Sequence, residues 1–179
     1  MKLYSLGHSS LDLDEFIRIL TDHGVSWIVD VRSTPFSQRY PQFNRGTLSR
    51  ALHKAGRKYL FMGDRLGGKP PRSDDDVPQW TQGRINYALV SDLSRSSAWR
   101  EGIGFLSRVI RQQARKGLVG CLLCSEADPN NCHRLLISFE LEHTVPGLSV
   151  QHIRPGSGLV NISFQKSLFK VSEDGSHYH

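Results

Sequence analysis

Reactive side chains are concentrated in one short segment, which runs from Cys124 to Arg134 and reads CSEADPNNCHR. It holds two thiols, a carboxylate, an imidazole and a guanidinium. A cysteine near a helix start and beside cationic groups is biased towards its nucleophilic thiolate form. The segment therefore predicts that Cys132 or Cys124 attacks an electrophilic centre, with Glu126 as proton carrier. The step of ten residues from Cys124 to Arg134 does not fit the C-x5-R loop of cysteine phosphatases.

Zinc binding, redox exchange and simple burial are the alternatives for these cysteines. A zinc site built from Cys121, Cys124, Cys132 and His133 is not favoured. Cys121 and Cys124 lie three residues apart on a predicted strand and so point to opposite faces. A thioredoxin-like pair needs its C-x-x-C at a strand-to-helix turn, whereas this one lies inside the strand. Free cysteine is also commonly a small core residue, and the sequence leaves that alternative open. We therefore expect no metal site, and the sequence names no cofactor.

Basic residues are strongly clustered between Arg32 and Arg72. The chain carries a formal net charge of +6, and this segment has ten basic residues against one acid, Asp64. Arginine outnumbers lysine sixteen to seven in the chain, and its planar fork suits phosphate or carboxylate. Basic and aromatic residues alternate in the first half of the segment, as in sites for nucleotides or single-stranded nucleic acid: Arg32, Phe36, Arg39, Tyr40, Phe43 and Arg45. We expect an anionic partner. A solvated basic surface without a dedicated ligand is the alternative.

Asp30 interrupts an otherwise apolar predicted strand. A buried carboxylate is costly unless it is paired, and Arg32 lies two residues further on the same face. We expect an ion pair that orders the following loop, orients Arg32 towards an anion, or does both.

The elements that must position these groups alternate between strand and helix. Short apolar runs predict strands at 2–6, 26–31, 58–62, 118–124 and 148–153. Helical spacing predicts helices between them, including one capped by Thr47, one over Asn86 to Leu93, one over Trp99 to Lys116 and one that begins at Asp128-Pro129. This alternation predicts a single Rossmann-like α/β domain of three layers with a mostly parallel sheet.

The polar residues follow the carboxyl ends of these strands. His8 and Ser9 follow the first strand, Asp30 and Arg32 close the second, and the reactive segment follows the fourth. In such folds ligands bind beyond the carboxyl ends, where the strand order reverses. The sequence therefore predicts a pocket at that edge of the sheet.

The 179 residues suit one domain, which we place at 1–154, followed by a C-terminal extension at 155–179. Gly156 and Gly158 predict a hinge there, and the apolar stretch from Leu159 to Val171 predicts a hairpin or a partner-contacting arm. No apolar run is long enough for a membrane span, and the N-terminus turns polar before a signal-peptide core could form. The three cysteines are an odd number and lie in one segment, so a disulfide framework is not expected and free thiols in a reducing compartment are favoured. We expect a soluble cytoplasmic protein and make no prediction of its oligomeric state.

Several short motifs resemble the domain-of-unknown-function 488 family over about residues 1–153. They are Gly7-His8-Ser9, Asp30-Val31-Arg32 with Pro35 and Ser37, Pro41 with Phe43-Asn44, Tyr59 with Leu66-Gly67-Gly68, and the block C-x-E-x-x-P-x-x-C-H-R from Cys124 to Arg134. The last block is the motif most specific to this family. The resemblance implies a compact α/β fold of prokaryotic proteins without an established biochemical activity. Cys121 does not belong to the motif, which further weakens the zinc alternative.

The function favoured by these observations is an enzyme that acts on a phosphorylated ligand, a nucleotide or a nucleic-acid base. The predicted catalytic residues are Cys124, Glu126, Cys132 and His133. The predicted substrate-binding residues, with Arg32 and Arg134 as anion clamps, are His8, Ser9, Asp30, Arg32, Ser37, Arg39, Asn44 and Arg134. A non-catalytic nucleic-acid or anion-binding module, which needs only the basic and aromatic groups, stays open as the alternative.

Overall fold

The computed structural model of the protein describes residues 1–69, 80, 81, 84, 85, 92 and 94–160. Its main sheet has six strands: β1 (Lys2–Gly7), β2 (Val25–Asp30), β3 (Lys58–Phe61), β6 (Val119–Cys124), β7 (Ser149–Arg154) and β8 (Gly158–Val160). Two short strands, β4 (Trp80–Thr81) and β5 (Arg84–Ile85), form a separate antiparallel pair.

The strand order in the main sheet is β3-β2-β6-β1-β7-β8. Every pair from β3 to β7 is parallel, and the pairing of β8 with β7 is antiparallel. The strands from β1 to β7 in this sheet match the five predicted ones to within one residue at each end. The predicted Rossmann-like α/β class with a mostly parallel sheet is confirmed.

Helices cover both faces of the sheet and give the molecule its three layers. Side chains of α1 (Leu13–Asp22) and α2 (Arg45–Lys54) fill the core on one face. Side chains of α3 (Gly63–Leu66), α4 (Ser97–Ala114) and α5 (Arg134–Thr144) fill the core on the other. Because side chains alternate along β6, Cys121 lies in the first core and Cys124 in the second. The prediction that these two cysteines face opposite ways is confirmed.

Two helix starts differ from those predicted. The helix expected from Asp128-Pro129 is only a 3-10 turn over Pro129–Asn131, and α5 begins at Arg134. Asp128 does cap this turn, because its carboxylate accepts a hydrogen bond from the Asn130 backbone at 3.0 Å. Helix α2 begins at Arg45 after Asn44 and not after Thr47, so the cap predicted at Thr47 was wrong. The late start of α5 leaves Cys132 and His133 in the loop before the helix and not within it.

The C-terminal part of the chain is described as far as residue 160. Strand β8 follows β7 through a tight turn at 155–157 and lies at one edge of the sheet. The rest of the predicted extension lies outside the described residues, and so does the predicted helix from Asn86 to Leu93 except for residue 92. Within the described ranges no helix is both long and apolar enough to cross a membrane.

Candidate functional site

Several of the polar residues predicted to cluster at the carboxyl ends of the strands line a pocket between β2 and β6. The chain leaves β2 towards α2 on one face of the sheet and leaves β6 towards α5 on the other, so a crevice opens between the two loops. The pocket has a volume of about 180 Å³ and is called the switch-point pocket below. It is lined by Arg32, Ser33, Thr34, Lys69, Cys124, Ser125, Glu126, Asn131, Cys132 and His133.

Asp30 and Arg32 form the predicted ion pair, and it is bidentate. Arg32 Nε lies 2.8 Å from Asp30 Oδ1, and Arg32 Nη2 lies 2.6 Å from Asp30 Oδ2. The Tyr59 hydroxyl donates a further hydrogen bond to Oδ2 at 2.6 Å. Asp30 is fully buried and Arg32 is 5% exposed. Although burial opposes the charged guanidinium, its hydrogen bonds and attraction to Asp30 hold the pKa of Arg32 above its usual value. Asp30 therefore fixes the position of the Arg32 side chain at the pocket wall.

His8 contacts the same arginine from the end of β1. Its Nε2 lies 3.2 Å from Arg32 Nη1, its Nδ1 lies 3.0 Å from the carbonyl oxygen of Ser9, and its ring stacks on Phe43 with centroids 4.1 Å apart. Burial, and then the charge of Arg32, lower the pKa of His8 to about 4. The neutral ring thus donates through Nδ1 and accepts from Arg32 through Nε2. His8 supports Arg32 and does not itself line the pocket.

Cys124, Cys132 and His133 converge at the base of the pocket and are called the sulfur–imidazole cluster below. His133 Nδ1 lies 3.9 Å from the sulfur of Cys124 and 3.9 Å from the sulfur of Cys132. His133 Nε2 lies 2.9 Å from the carbonyl oxygen of Val31, so Nε2 carries the donated proton and Nδ1 faces the two sulfurs. All three side chains are buried: Cys124 is 5% exposed, Cys132 is 1% exposed and His133 is 4% exposed. The structure thus brings together three of the four predicted catalytic residues.

The two thiols have opposite electrostatic environments. Burial alone would raise the pKa of Cys132, but the hydrogen bond from Cys124 and the positive charges of Arg134 and His133 outweigh burial and lower it. The same hydrogen bond, together with burial, raises the pKa of Cys124. Burial opposes the charge on His133, yet the neighbouring Cys132 raises its pKa. Cys132 is therefore the more acidic of the two thiols, and Cys124 donates the hydrogen bond to it.

Glu126, the fourth predicted catalytic residue, lines the wall of the pocket in the loop after β6. Partial burial, and then the proximity of Cys132, raise the pKa of its carboxyl, while Arg134 opposes the rise. A carboxyl that keeps its proton more readily is suited to exchange protons with a ligand.

Arg134 has a different role from the one predicted. It is fully buried, its Nε donates to Ser5 Oγ at 3.0 Å, and its two terminal nitrogens donate to the carbonyl oxygens of Glu126 and Ala127. The side chain therefore holds the loop that carries Glu126 and does not line the pocket. It acts on the site through that loop and through its charge.

The remaining predicted substrate-binding residues do not line the pocket. Asn44 Oδ1 accepts a hydrogen bond from the Ser37 backbone at 2.6 Å, and Ser37 Oγ accepts one from the Tyr40 backbone at 3.0 Å. Both side chains order the loop after β2. Arg39 is exposed on that loop, with its guanidinium 5.4 Å from the centre of the Tyr40 ring. Ser9 has a positive φ of 45°, and its backbone N–H donates to the carbonyl oxygen of Ser125 at 2.8 Å.

Sequence reasoning missed Lys69, an exposed lysine at the pocket. Its backbone N–H donates to Ser33 Oγ at 3.0 Å. The nearby Gly67 lets the chain approach closely, because a Cβ there would lie 2.3 Å from the Gly63 carbonyl oxygen and 2.4 Å from Ser33 Oγ. The dipeptide Gly67-Gly68 was the available signal, since adjacent glycines mark tight approaches of the backbone.

Among the described residues, the sulfur–imidazole cluster is also a group that could hold a metal ion. The two sulfurs and the imidazole nitrogen all lie within 4.8 Å of one another. The sequence argument against zinc counted Cys121 as a ligand, and Cys121 does lie on the far face of the sheet. The remaining three groups meet without it.

Comparison with known proteins gives one match. The family model described as "Domain of unknown function DUF488" matches residues 12–140, which contain the reactive segment, the Asp30–Arg32 pair and Lys69. No curated protein and no solved structure matches the chain.

Proposed function

We propose that this chain, which belongs to the DUF488 family, is an enzyme that acts on a phosphorylated ligand, a nucleotide or a nucleic-acid base, in the switch-point pocket. The observation that carries the proposal is the convergence of two thiols, an imidazole and a carboxyl on one small pocket with cations at its wall. Clusters of ionisable groups with perturbed pKa values in a cleft are typical of catalytic sites.

Anion recognition is supported by the two basic side chains that line the pocket. Lys69 is exposed, and its ammonium group is a flexible point charge that suits a phosphate. Arg32 is held rigidly by Asp30 and His8, so its charge stays at the wall without a ligand. A phosphate in the pocket would meet one mobile and one fixed cation.

Binding of a base is supported by the loop between Arg32 and Arg45. The Phe36 side chain is 66% exposed, an unusual position for a large apolar ring, and it follows the pocket residue Thr34 by two positions. Exposed aromatic rings between basic residues provide stacking surfaces for bases. We therefore assign Phe36 and Arg39 to contacts with parts of the ligand outside the pocket.

The chemistry is assigned to the sulfur–imidazole cluster and Glu126. The cluster supplies the electron-rich centre, and Glu126 exchanges a proton with the ligand. Asp30, His8 and Arg134 act as positioning residues for Arg32 and for the loop that carries Glu126. The free, buried cysteines also support the proposal of a cytoplasmic location.

The test measures binding and product formation with a panel of nucleotides and the matching nucleosides. We expect binding that depends on the phosphate, and Lys69→Ala should weaken it by about tenfold because a charged hydrogen bond is lost. Lys116→Ala is the matched control, since this exposed lysine precedes β6 at the opposite edge of the sheet. Failure of every phosphorylated compound to bind at low salt would refute the proposal.

The alternative of a non-catalytic binding module rests on the same basic and aromatic residues. Glu126→Gln and Cys132→Ser separate the two functions, because an enzyme should lose product formation while keeping phosphate-dependent binding. Wild-type protein that binds nucleotides and converts none of them, detected by mass spectrometry, would favour the module.

A further inference from the structure

We infer that Cys124, Cys132 and His133 bind a zinc ion whose fourth coordination position opens into the switch-point pocket. This goes beyond the proposed function, which requires no metal. Two thiolates and one imidazole are ligands that zinc prefers, and a site with three protein ligands leaves a position for water or a ligand oxygen.

The distances fit a tetrahedral ion. Zinc lies about 2.3 Å from a thiolate sulfur and about 2.0–2.1 Å from an imidazole nitrogen, which places sulfur and nitrogen roughly 3.5 Å apart. Both separations from His133 Nδ1 to sulfur are 3.9 Å. Closing each by a few tenths of an ångström would complete the geometry. The separation between the two sulfurs is also within the 4.8 Å that encloses the whole cluster.

His133 is oriented as a zinc ligand. Its Nε2 hydrogen bond to the Val31 carbonyl fixes the tautomer and directs the Nδ1 lone pair at the two sulfurs. A histidine that ligates a metal almost always donates its other ring N–H to a carboxylate, a backbone carbonyl or water. Val31 follows β2 directly, and its backbone N–H donates to the carbonyl oxygen of Leu123 in β6 at 3.1 Å, so its peptide is tied to the sheet.

The burial of the cluster suits a metal centre, because a metal ion needs no exposed sulfur surface. Cys132 is 1% exposed, yet its sulfur faces the same pocket as His133 and Cys124. A zinc ion held by the three groups would extend the reactive centre towards Glu126 and Asn131, which line the same pocket. Cys121 cannot serve as a fourth ligand from the opposite face of the sheet, so the open position is left to solvent or to the phosphorylated ligand.

The test titrates the reduced, metal-free full-length chain with Zn²⁺ in competition with a chromophoric chelator. We expect one zinc per chain. Cys132→Ser and His133→Ala should each weaken binding by more than the about 10–100-fold typical of losing an outer partner. Cys121→Ser is the matched control and should bind zinc as the wild type does. Less than one zinc per chain, or equal loss in the Cys121 variant, would overturn the inference.

A second measurement on the wild type does not depend on whether the variants fold. Replacement of Zn²⁺ by Co²⁺ should produce the intense visible bands of tetrahedral cobalt and a thiolate-to-cobalt charge-transfer band. A spectrum of hexaaquo cobalt would contradict the inference. Nucleotide binding measured on the same metal-free sample tests the proposed function separately. A negative result in one measurement therefore does not decide the other.

Discussion

The carboxylate of Asp30 is fully buried and accepts hydrogen bonds from Arg32 and Tyr59. Asp30→Asn leaves the buried guanidinium without its counter-charge, and removal of one partner of a buried pair typically costs about 3–5 kcal/mol. Tyr59→Phe removes a single hydrogen bond and should cost about 1 kcal/mol. Urea unfolding of both variants measures the difference. Equal losses in the two variants would show that the ion pair contributes little beyond a hydrogen bond.

His8 should make the stability of the protein depend on pH. Its pKa is about 4 in the folded protein, against 6.5 for an unperturbed histidine. Between these values the unfolded chain binds a proton that the folded protein excludes, so the free energy of unfolding falls as the pH drops from 6.5 towards 4. Above pH 6.5 the contribution of His8 is complete. The full shift corresponds to about 3 kcal/mol.

His8→Gln tests this dependence because glutamine can accept from Arg32 but does not titrate. We expect a smaller loss of stability between pH 7 and pH 4.5 than in the wild type, measured by urea unfolding at each pH. His152 is also buried, with a pKa lowered to about 4, and it should leave part of the slope in place. His53→Gln, at an exposed position in α2, should keep the wild-type slope.

The role of a site residue could be predicted from the sequence when its partner lies nearby in the chain. Asp30 and Arg32 are two positions apart on one strand, so their pairing could be predicted. The partners of Arg134 are Ser5 and two backbone carbonyl groups, and only the tertiary fold brings them to the guanidinium. The sequence therefore predicted Arg134 as an anion clamp and gave no sign of these hydrogen bonds.

At the scale of elements, glycines let the loops at the pocket approach the strands. A Cβ at Gly7 would lie 1.7 Å from the Glu126 carbonyl oxygen. Gly7→Ala should therefore push away the loop that carries Glu126, lower stability by about 3 kcal/mol or more and abolish ligand binding. Thermal unfolding and nucleotide titration measure the two effects.

Gly104→Ala is the matched control for that substitution. Gly104 lies within α4, where the nearest atom to an added Cβ is Arg108 Nη1 at 3.8 Å. Alanine should stabilise the helix there by about 0.5–1 kcal/mol. Equal behaviour of the two variants would contradict the close approach at Gly7.

Strands were predictable from sequence because buried parallel strands are continuous apolar runs bounded by turn residues. Helix starts were less predictable because polar side chains near them have several partners to choose from. Asn44 precedes α2, yet its side chain binds the Ser37 backbone in the loop and does not cap the helix.

At the scale of the whole molecule, the basic residues are concentrated in one segment of the chain. The segment from Arg32 to Lys69 follows β2 and contains α2, β3 and α3. It holds nine of the ten basic residues clustered between Arg32 and Arg72, the tenth being Arg72 itself. We expect the affinity for a short single-stranded oligonucleotide to fall steeply with salt. Lys69→Ala should reduce the slope of log affinity against log salt by about 0.7, the value for one phosphate contact.

Lys116→Ala should leave that slope unchanged, because it lies at the opposite edge of the sheet. Fluorescence anisotropy over a series of salt concentrations measures both slopes. An oligonucleotide affinity that does not respond to salt would exclude phosphate contacts as its source.

The fold class, and the position of the polar residues at the carboxyl ends of the strands, could be predicted from the alternation of strands and helices in the sequence. The composition of the pocket could not, because it depends on which strands are neighbours. The predicted strands did not show that β6 inserts between β2 and β1, and this insertion is what places Cys124 and His133 beside Arg32.

The insertion of β6 has a consequence for how the protein is made. β1 pairs with β6 and β7, and β2 pairs with β3 and β6, so β1 and β2 share no edge until β6 joins them. During synthesis the first 118 residues can form only separate fragments of the sheet, with unpaired edges. Strand β6, which joins the two parts of the sheet, ends in Cys124 and leads into the reactive segment. A nascent chain therefore acquires its reactive centre directly after the strand that joins the two parts of its sheet, and a chain interrupted before β6 carries neither.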